Sequence, residues 1–158
     1  MSLILTDQSF HGAMTTLKAY LPQEDAERLS KSRWAIINMW RPIKPVRRDP
    51  LAVCDWQTVR TETDLLPAML TIPRREYGGK STQQHERWSA AYNPNHQWYF
   101  ASDMQPDEAL LIKCFDSRKD GTARLAPHAA LTIGEESEPA RESVELRCLV
   151  FWEDQLLE

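Results

Sequence analysis

The first thirty residues of the chain show a short apolar run followed by two helical patterns. Residues 3–5 are apolar but too few for a helix, so they predict a strand that ends at Asp7. Apolar residues then recur at helical spacing over residues 10–21, directly after Ser9, a residue type that caps helix N-termini. Pro22 and the acidic residues after it predict the start of a second helix.

The rest of the chain predicts short strands separated by prolines and polar turns. Residues 34–40 form an apolar run of strand-forming residues, and residues 143–152 alternate between apolar and polar positions. Further strands are predicted at 51–54, 65–72, 98–102, 109–115 and 125–133, and a mobile loop at 74–87. Two helices followed by seven or eight strands predict an α+β fold that is mainly antiparallel β, as a barrel or jelly roll.

Composition narrows the class of protein. With 158 residues, the chain fits a single domain spanning residues 1–158. The net charge of −4 argues against nucleic-acid binding, which usually brings a basic surplus. No apolar run approaches the ~18 residues of a membrane span, and the start lacks a secretory signal pattern. We therefore expect a cytoplasmic protein without nucleic-acid or membrane partners.

The cysteines do not suggest a disulfide framework or a zinc cluster. Cys54, Cys114 and Cys148 are odd in number and far apart in the sequence. The six tryptophans are more informative, because tryptophan tends to line cores, interfaces and ligand pockets.

Several segments, taken in order, resemble the fungal hydroxylase/desaturase family, which includes gibberellin desaturase-like enzymes and relatives of the small cephamycin methoxylase component. The first is Thr-Asp-Gln-Ser at residues 6–9, and the next is Ile-Ile-Asn-Met-Trp-Arg-Pro-Ile at residues 36–43. The others lie at residues 49–55, 98–104, 112–117, 126–128 and 141–147. Together they cover nearly the whole chain, which resembles the C-terminal part of a family domain that is longer at its N-terminus.

The resemblance implies the scaffold of an iron(II)- and 2-oxoglutarate-dependent oxygenase. The implied fold is a truncated double-stranded β-helix (jelly-roll or cupin-like) with two N-terminal helices. Such enzymes place two imidazoles and one carboxylate on one face of the iron. By resemblance, Asp7 is the carboxylate and His128 the distal imidazole, while Arg141 and Ser143 form an R-x-S motif that binds a carboxylate of 2-oxoglutarate.

One departure from the family pattern concerns the metal. The family has a histidine two residues before the aspartate, whereas this chain has Leu5, which has no lone pair to donate. His11 lies four residues after Asp7 and would share a helix face with it, so it is a possible substitute. Structural roles also fit the candidates, since Asp7 precedes a helix that it could cap and His128 sits in an apolar strand.

The first functional hypothesis is a non-oxidative enzyme of fungal secondary metabolism that needs no cofactor. It would cyclise, isomerise or dehydrate a small apolar metabolite. Asp7 and His128 would exchange protons, and Arg41 or Arg141 would stabilise negative charge. The substrate-binding candidates are Trp40, Trp98, Asn38, Lys113 and Ser143.

Two other hypotheses remain open. The chain retains Asp7, His128 and the R-x-S pair, which favours a hydroxylase or desaturase that uses Fe(II) and 2-oxoglutarate. Alternatively, the chain is a non-catalytic subunit, because a truncated barrel leaves a strand edge that must be covered. The partner would then be a second copy in a homodimer or a related chain.

Overall fold

The structure is a computed structural model that describes residues 4–5, 8–73 and 82–157. Nine strands and three helices make up these ranges, with a short 3-10 turn at Trp56–Thr58. The strands are β1 (Ile4–Leu5), β2 (Ser32–Pro42), β3 (Leu51–Cys54), β4 (Leu65–Pro73), β5 (Thr82–Ala90), β6 (Trp98–Phe100), β7 (Leu110–Asp116), β8 (His128–Ala130) and β9 (Ser143–Leu156). The helices are α1 (Phe10–Tyr20), α2 (Gln23–Leu29) and α3 (Thr61–Asp64).

The two N-terminal helices agree with the sequence prediction. Ser9 caps α1, because its hydroxyl oxygen accepts a hydrogen bond from the Gly12 N–H at 2.8 Å. The buried side of α1 includes Ala13 and Leu17, which pack against Trp34 on β2. The helical spacing of apolar residues therefore corresponds to one buried helix face.

All described strand pairs are antiparallel and form three three-stranded sheets. Their strand orders are β7-β2-β9, β6-β3-β8 and β1-β5-β4. The central strand β2 carries Trp34 and Ile36 into one core cluster and Trp40 into a second. Two helices on mainly antiparallel sheets confirm the predicted α+β class.

Two segments differ from the sequence prediction. Residues 82–87 belong to β5, which pairs with both β1 and β4, so the loop prediction is wrong there. Most residues of β5 are polar, and the strand therefore lacks the hydrophobic alternation that would identify it. The rest of that predicted loop lies outside the described residues. The predicted strand at 125–133 shortens to β8, which begins only after Pro127.

The helices of the described ranges are short. The eleven residues of α1 make it the longest of them, and none is long and apolar enough to cross a membrane.

Candidate active site

Arg141 is held in place immediately before β9. Its Nε donates to the carbonyl oxygen of Asp49 at 2.8 Å, and its Nη1 donates to the hydroxyl oxygen of Ser143. Its guanidinium carbon lies 5.3 Å from the centroid of the Trp40 ring. The structure therefore brings the two R-x-S residues together with one of the predicted substrate-binding tryptophans.

This guanidinium retains binding capacity. Within the described residues, no carboxylate forms an ion pair with Arg141, and the carboxylate of Asp49 pairs instead with Arg48 at 3.1 Å. A guanidinium has five N–H donors, and the protein groups named above engage two of them. The remaining donors form a fork suited to a carboxylate. The site is thus half-buried, positively charged and positioned by its neighbours.

His128 lies on the face of the small sheet that is directed toward Trp40. It pairs with Val53 across β8 and β3, and directly opposed residues project to the same face. Val53 packs against the core cluster that contains Trp40 and Ile112. His128 Nδ1 lies 2.9 Å from the carbonyl oxygen of Ala126, an atom that only accepts. In the neutral ring the proton therefore sits on Nδ1, and Nε2 carries the lone pair of a base or ligand.

Strand β1 brings the Leu5 position close to the strand of His128. Several Cα pairs of β1 and β8 lie within 8 Å of each other, and Leu5 pairs with Ser89 on β5. Asp7, predicted as a catalytic and metal-binding carboxylate, lies outside the described residues.

The donor groups suit an iron ion only in part. Leu5 offers no lone pair, and His11 lies on the exposed side of α1. Within residues 8–73 and 82–157, no group of three or more His, Cys, Asp and Glu side chains is arranged to hold a metal. The predicted ligands His128 and Asp7 would therefore be one fewer than the two-histidine, one-carboxylate triad requires.

Asn38 is fully buried on the same face of β2 as Trp40, two residues away. Its Nδ2 donates to Glu145 Oε1 at 2.8 Å, and its Oδ1 accepts from Arg147 Nε at 3.2 Å. Both partners lie on β9, where Arg147 is directly opposite Asn38 in the sheet register. The sequence does not reveal Arg147 and Glu145 as neighbours of Asn38, because strand register is not visible in it.

Arg147 also lies within electrostatic reach of His85 on β5. Burial, together with the positive charges of Arg87 and Arg147, lowers the pKa of His85 on β5. His85 thus lies close enough to Arg147 to sense its charge.

Three predicted site residues lie elsewhere in the fold. Arg41 is exposed beside Val144 on the face of β2 opposite Trp40. Trp98 pairs with Cys54 and packs in a different core cluster, away from the face that carries His128. The Nζ of Lys113 binds the carboxylate of Asp116 at 3.0 Å.

Tyr99, rather than Trp98, shares the His128 face. It pairs with Val53 on β3, as His128 does from the other side. The Trp-Tyr dipeptide in the sequence indicates that an aromatic ring lies near the site. Because side chains alternate between the two faces of a strand, the register decides which of the two rings shares the His128 face.

Asp116 is the centre of a separate buried ion cluster. Its carboxylate accepts from Arg33 at 2.9 and 3.3 Å, from the Arg118 N–H at 3.0 Å and from Lys113 at 3.0 Å. Desolvation raises the pKa of Asp116, but the hydrogen bonds from these three partners outweigh it and hold the pKa below its usual value. This cluster joins β2 to the end of β7 and is a structural element.

A second buried pair joins α3 to the segment after β5. Asp64 accepts from the Arg60 N–H at 2.9 Å, from Asn93, and lies 3.0 Å from His96 Nε2. The Arg60 hydrogen bond is the largest influence on the pKa of Asp64, which is lowered despite burial. The side chain of His96 is only 4% exposed, so His96 belongs to this buried pair.

Comparisons with known proteins relate the chain to fungal oxidoreductases. A family model described as "Oxidoreductase/YMDC permease-like domain" matches residues 1–151. The hydroxylase/desaturase efuI of Hormonema carpetanum is 49% identical over 152 residues, covering 94% of this chain and 51% of that protein. The hydroxylase/desaturase CTB9 of Cercospora beticola is 47% identical over 152 residues, covering 94% of this chain and 46% of that protein.

A solved structure shares the fold. The iron and alpha-ketoglutarate-dependent endoperoxidase NvfI superposes with a TM-score of 0.82 at 29% identity, covering 95% of this chain and 52% of that chain. This likeness confirms the predicted jelly-roll fold. The chain spans about half the length of these proteins.

Proposed function

Because this chain belongs to the fungal hydroxylase/desaturase family, we propose that it carries the 2-oxoglutarate-binding part of an oxidoreductase of secondary metabolism. The observation that carries the proposal is the fixed guanidinium of Arg141, held by the Asp49 carbonyl and Ser143 over the Trp40 ring. A guanidinium with donors to spare and no carboxylate partner among the described residues is suited to a ligand carboxylate. The name of the structural neighbour NvfI, which includes alpha-ketoglutarate, supports this choice of ligand.

In this proposal, different residues bind 2-oxoglutarate and iron(II). Arg141 binds the carboxylate of 2-oxoglutarate and Ser143 orients the guanidinium, while Trp40 excludes water from one side of the ion pair. His128 and Asp7 would hold iron(II), which supplies oxygen activation in enzymes of this kind. Leu5 cannot add the third protein ligand, so we expect weaker iron binding than a complete triad provides.

A second candidate function is favoured by the lack of a metal-binding donor atom in the Leu5 side chain. With an incomplete metal triad, the same site would transform a small metabolite without oxidation and without a cofactor, by cyclisation, isomerisation or dehydration. In this alternative His128 Nε2 takes a proton from the substrate, since Nδ1 already donates to the Ala126 carbonyl. Arg141 stabilises the negative charge that develops.

Anaerobic calorimetry with iron(II), with and without 2-oxoglutarate, separates the two functions. The oxidoreductase predicts iron binding that 2-oxoglutarate strengthens and that His128→Ala abolishes. A Leu5→His variant is the matched control, because it restores the third donor at a position beside β8. If neither the natural chain nor Leu5→His binds iron, the oxidoreductase is rejected. If only Leu5→His binds iron, the non-oxidative alternative is supported.

The partners of this chain follow from the same proposal. We propose a small metabolite as substrate and a second copy or a related chain as the protein partner. Light scattering of the purified protein measures its mass, and a monomer at all concentrations would exclude the homodimer.

A further inference from the structure

A cavity of about 580 Å³ lies at the end of the β7-β2-β9 sheet that is farther from the Arg141 site. Residues 117–120, which follow β7, form one wall, and residues 155–157 at the end of β9 form the other. Arg33 of β2 also lines the cavity, and the seven residues from Arg33 to Trp40 separate their Cα atoms by roughly 23 Å. The cavity is therefore separate from the carboxylate site, and its volume is in the range of small-molecule pockets.

The cavity has a surplus of positive charge, although the whole chain has a net charge of −4. Its walls carry three cationic side chains, Arg33, Arg118 and Lys119, and one carboxylate, Asp120. The Asp120 carboxylate is already engaged, because its oxygens lie 3.4 Å from Arg118 Nε and accept from the Thr122 N–H at 3.1 Å. Among the described residues, none forms a hydrogen bond or an ion pair with Lys119. Its ammonium group is therefore available to a ligand.

Gln155 is held so that its amide nitrogen is left to donate. Its Oε1 accepts from Arg33 Nη1 at 3.2 Å and from Arg118 Nη2 at 3.1 Å. These two donors fix the orientation of the amide, and Nε2 has no hydrogen-bond partner in the part of the chain that the structure describes. Arg118 Nη1 is likewise without a protein acceptor there. Arg33 is bound through two of its nitrogens to Asp116, so it supports Gln155 and is not itself a ligand group.

We infer that this cavity binds a phosphate monoester of a small organic molecule, with the phosphate held by Arg118, Lys119 and Gln155. The available donors belong to three different side chains, which suits the several oxygens of a tetrahedral dianion better than the single fork that a planar carboxylate needs. Leu156 and Leu157 are 78% and 36% exposed and give the organic part an apolar wall. The inference is independent of the proposed function, because the two sites share no residue.

The test is an NMR titration of the ¹⁵N-labelled protein with phenyl phosphate at about pH 7.5, where phosphate monoesters are mainly dianionic. Saturable shifts should centre on the backbone amides of residues 117–120 and 155–157. Phenol lacks the phosphate and inorganic phosphate lacks the ring, so each should bind more weakly than phenyl phosphate. Benzoate should also bind more weakly, because it offers a planar group with a single charge.

Two variants separate lost recognition from misfolding. Lys119→Met removes a charge that no described residue uses, so binding should weaken about fivefold or more while the Tm stays unchanged. Gln155→Glu keeps an acceptor for both arginines but replaces the amide donor by a second carboxylate oxygen, so phenyl phosphate should no longer bind. This variant should be at least as stable as the unchanged protein, since its carboxylate would pair with Arg33 and Arg118.

Arg60→Met is the control for net charge, because Arg60 is exposed and lies outside the cavity. It should bind phenyl phosphate as the unchanged protein does. The absence of saturable shifts, shifts centred elsewhere, or equal affinity for phenol and phenyl phosphate would each overturn the inference. Unchanged affinity in folded Lys119→Met and Gln155→Glu variants would do the same, as would equal losses in Lys119→Met and Arg60→Met.

Discussion

Replacing Arg141 by methionine should remove most of the affinity for 2-oxoglutarate. Methionine keeps much of the length and apolar contact of the side chain, so it removes the guanidinium with little change in packing against Trp40. The perturbation therefore isolates the charge and the hydrogen-bond donors that the carboxylate would use.

The size of the effect follows from the contacts of Arg141. Two of its N–H groups are engaged by Asp49 and Ser143, which leaves enough donors for a two-pronged contact with one carboxylate. Each charge-assisted hydrogen bond contributes about 1.5–3 kcal/mol. Two such bonds total about 3–6 kcal/mol, and since Arg141 is half-buried, we take the lower end of this range, about 3 kcal/mol. That corresponds to roughly 100-fold in the dissociation constant.

Anaerobic calorimetry of 2-oxoglutarate binding measures this change directly. Ser143→Ala removes one group that orients the guanidinium and should weaken binding by about 1 kcal/mol, or several-fold. Arg60→Met is the charge-matched control, because Arg60 is an exposed arginine before α3 and outside the site. It should bind 2-oxoglutarate as the unchanged protein does.

Two results would refute the reasoning about Arg141. An Arg141→Met variant that keeps its affinity within threefold would show that the ligand carboxylate is bound elsewhere. Equal losses in Arg141→Met and Arg60→Met would indicate a general electrostatic effect of net charge in place of a fixed site.

Three further predictions concern the scaffold. Gly12→Ala should lower the free energy of unfolding, measured by urea denaturation, by about 1–3 kcal/mol, because an added Cβ would lie 2.0 Å from the Glu86 carbonyl oxygen. A gain in stability, as at exposed helix positions, would contradict the close approach of α1 to β5. Asp116→Asn should cost about 3–5 kcal/mol at pH 7, because it leaves Arg33 facing a neutral group in a buried site. Since folding lowers the pKa of Asp116, its contribution to stability is present above the unfolded pKa of about 3.9 and is lost as the pH falls. The difference in Tm between the variant and the unchanged protein should therefore stay constant between pH 5 and 7 and shrink below about pH 4. Asp64→Ala should cost about 2 kcal/mol or more in thermal unfolding because it leaves several buried donors unpaired, and an unchanged Tm would show that the pair is not structural.

The helices and most strands could be predicted from the sequence because their signals are local. Ser9 and the apolar spacing after it define α1, and the apolar run at residues 34–40 lies within β2. Strand β5 could not be predicted, because its residues are mostly polar and it is held by pairing with β1 and β4. Such a strand is stabilised by its neighbouring strands, and the hydrophobic pattern of the strand itself carries no information about them.

The same distinction applies to the site. Arg141 and Ser143 are two residues apart, so their association is a local motif that the sequence displays. The contact of Arg147 with Asn38 depends on the register between β2 and β9, over more than a hundred residues of chain. The position of Trp98 also depends on strand register. Successive residues of a strand point to opposite faces of the sheet, so Tyr99 lies on the His128 face and Trp98 lies on the other.

The most direct test of the carboxylate site is a crystal structure of the protein with 2-oxoglutarate bound under anaerobic conditions. The account predicts one carboxylate within hydrogen-bonding distance of the Arg141 guanidinium, beside Ser143 and Trp40, with the rest of the molecule directed toward His128. A 2-oxoglutarate bound away from Arg141, or an Arg141 side chain paired with a protein carboxylate in the complex, would contradict it.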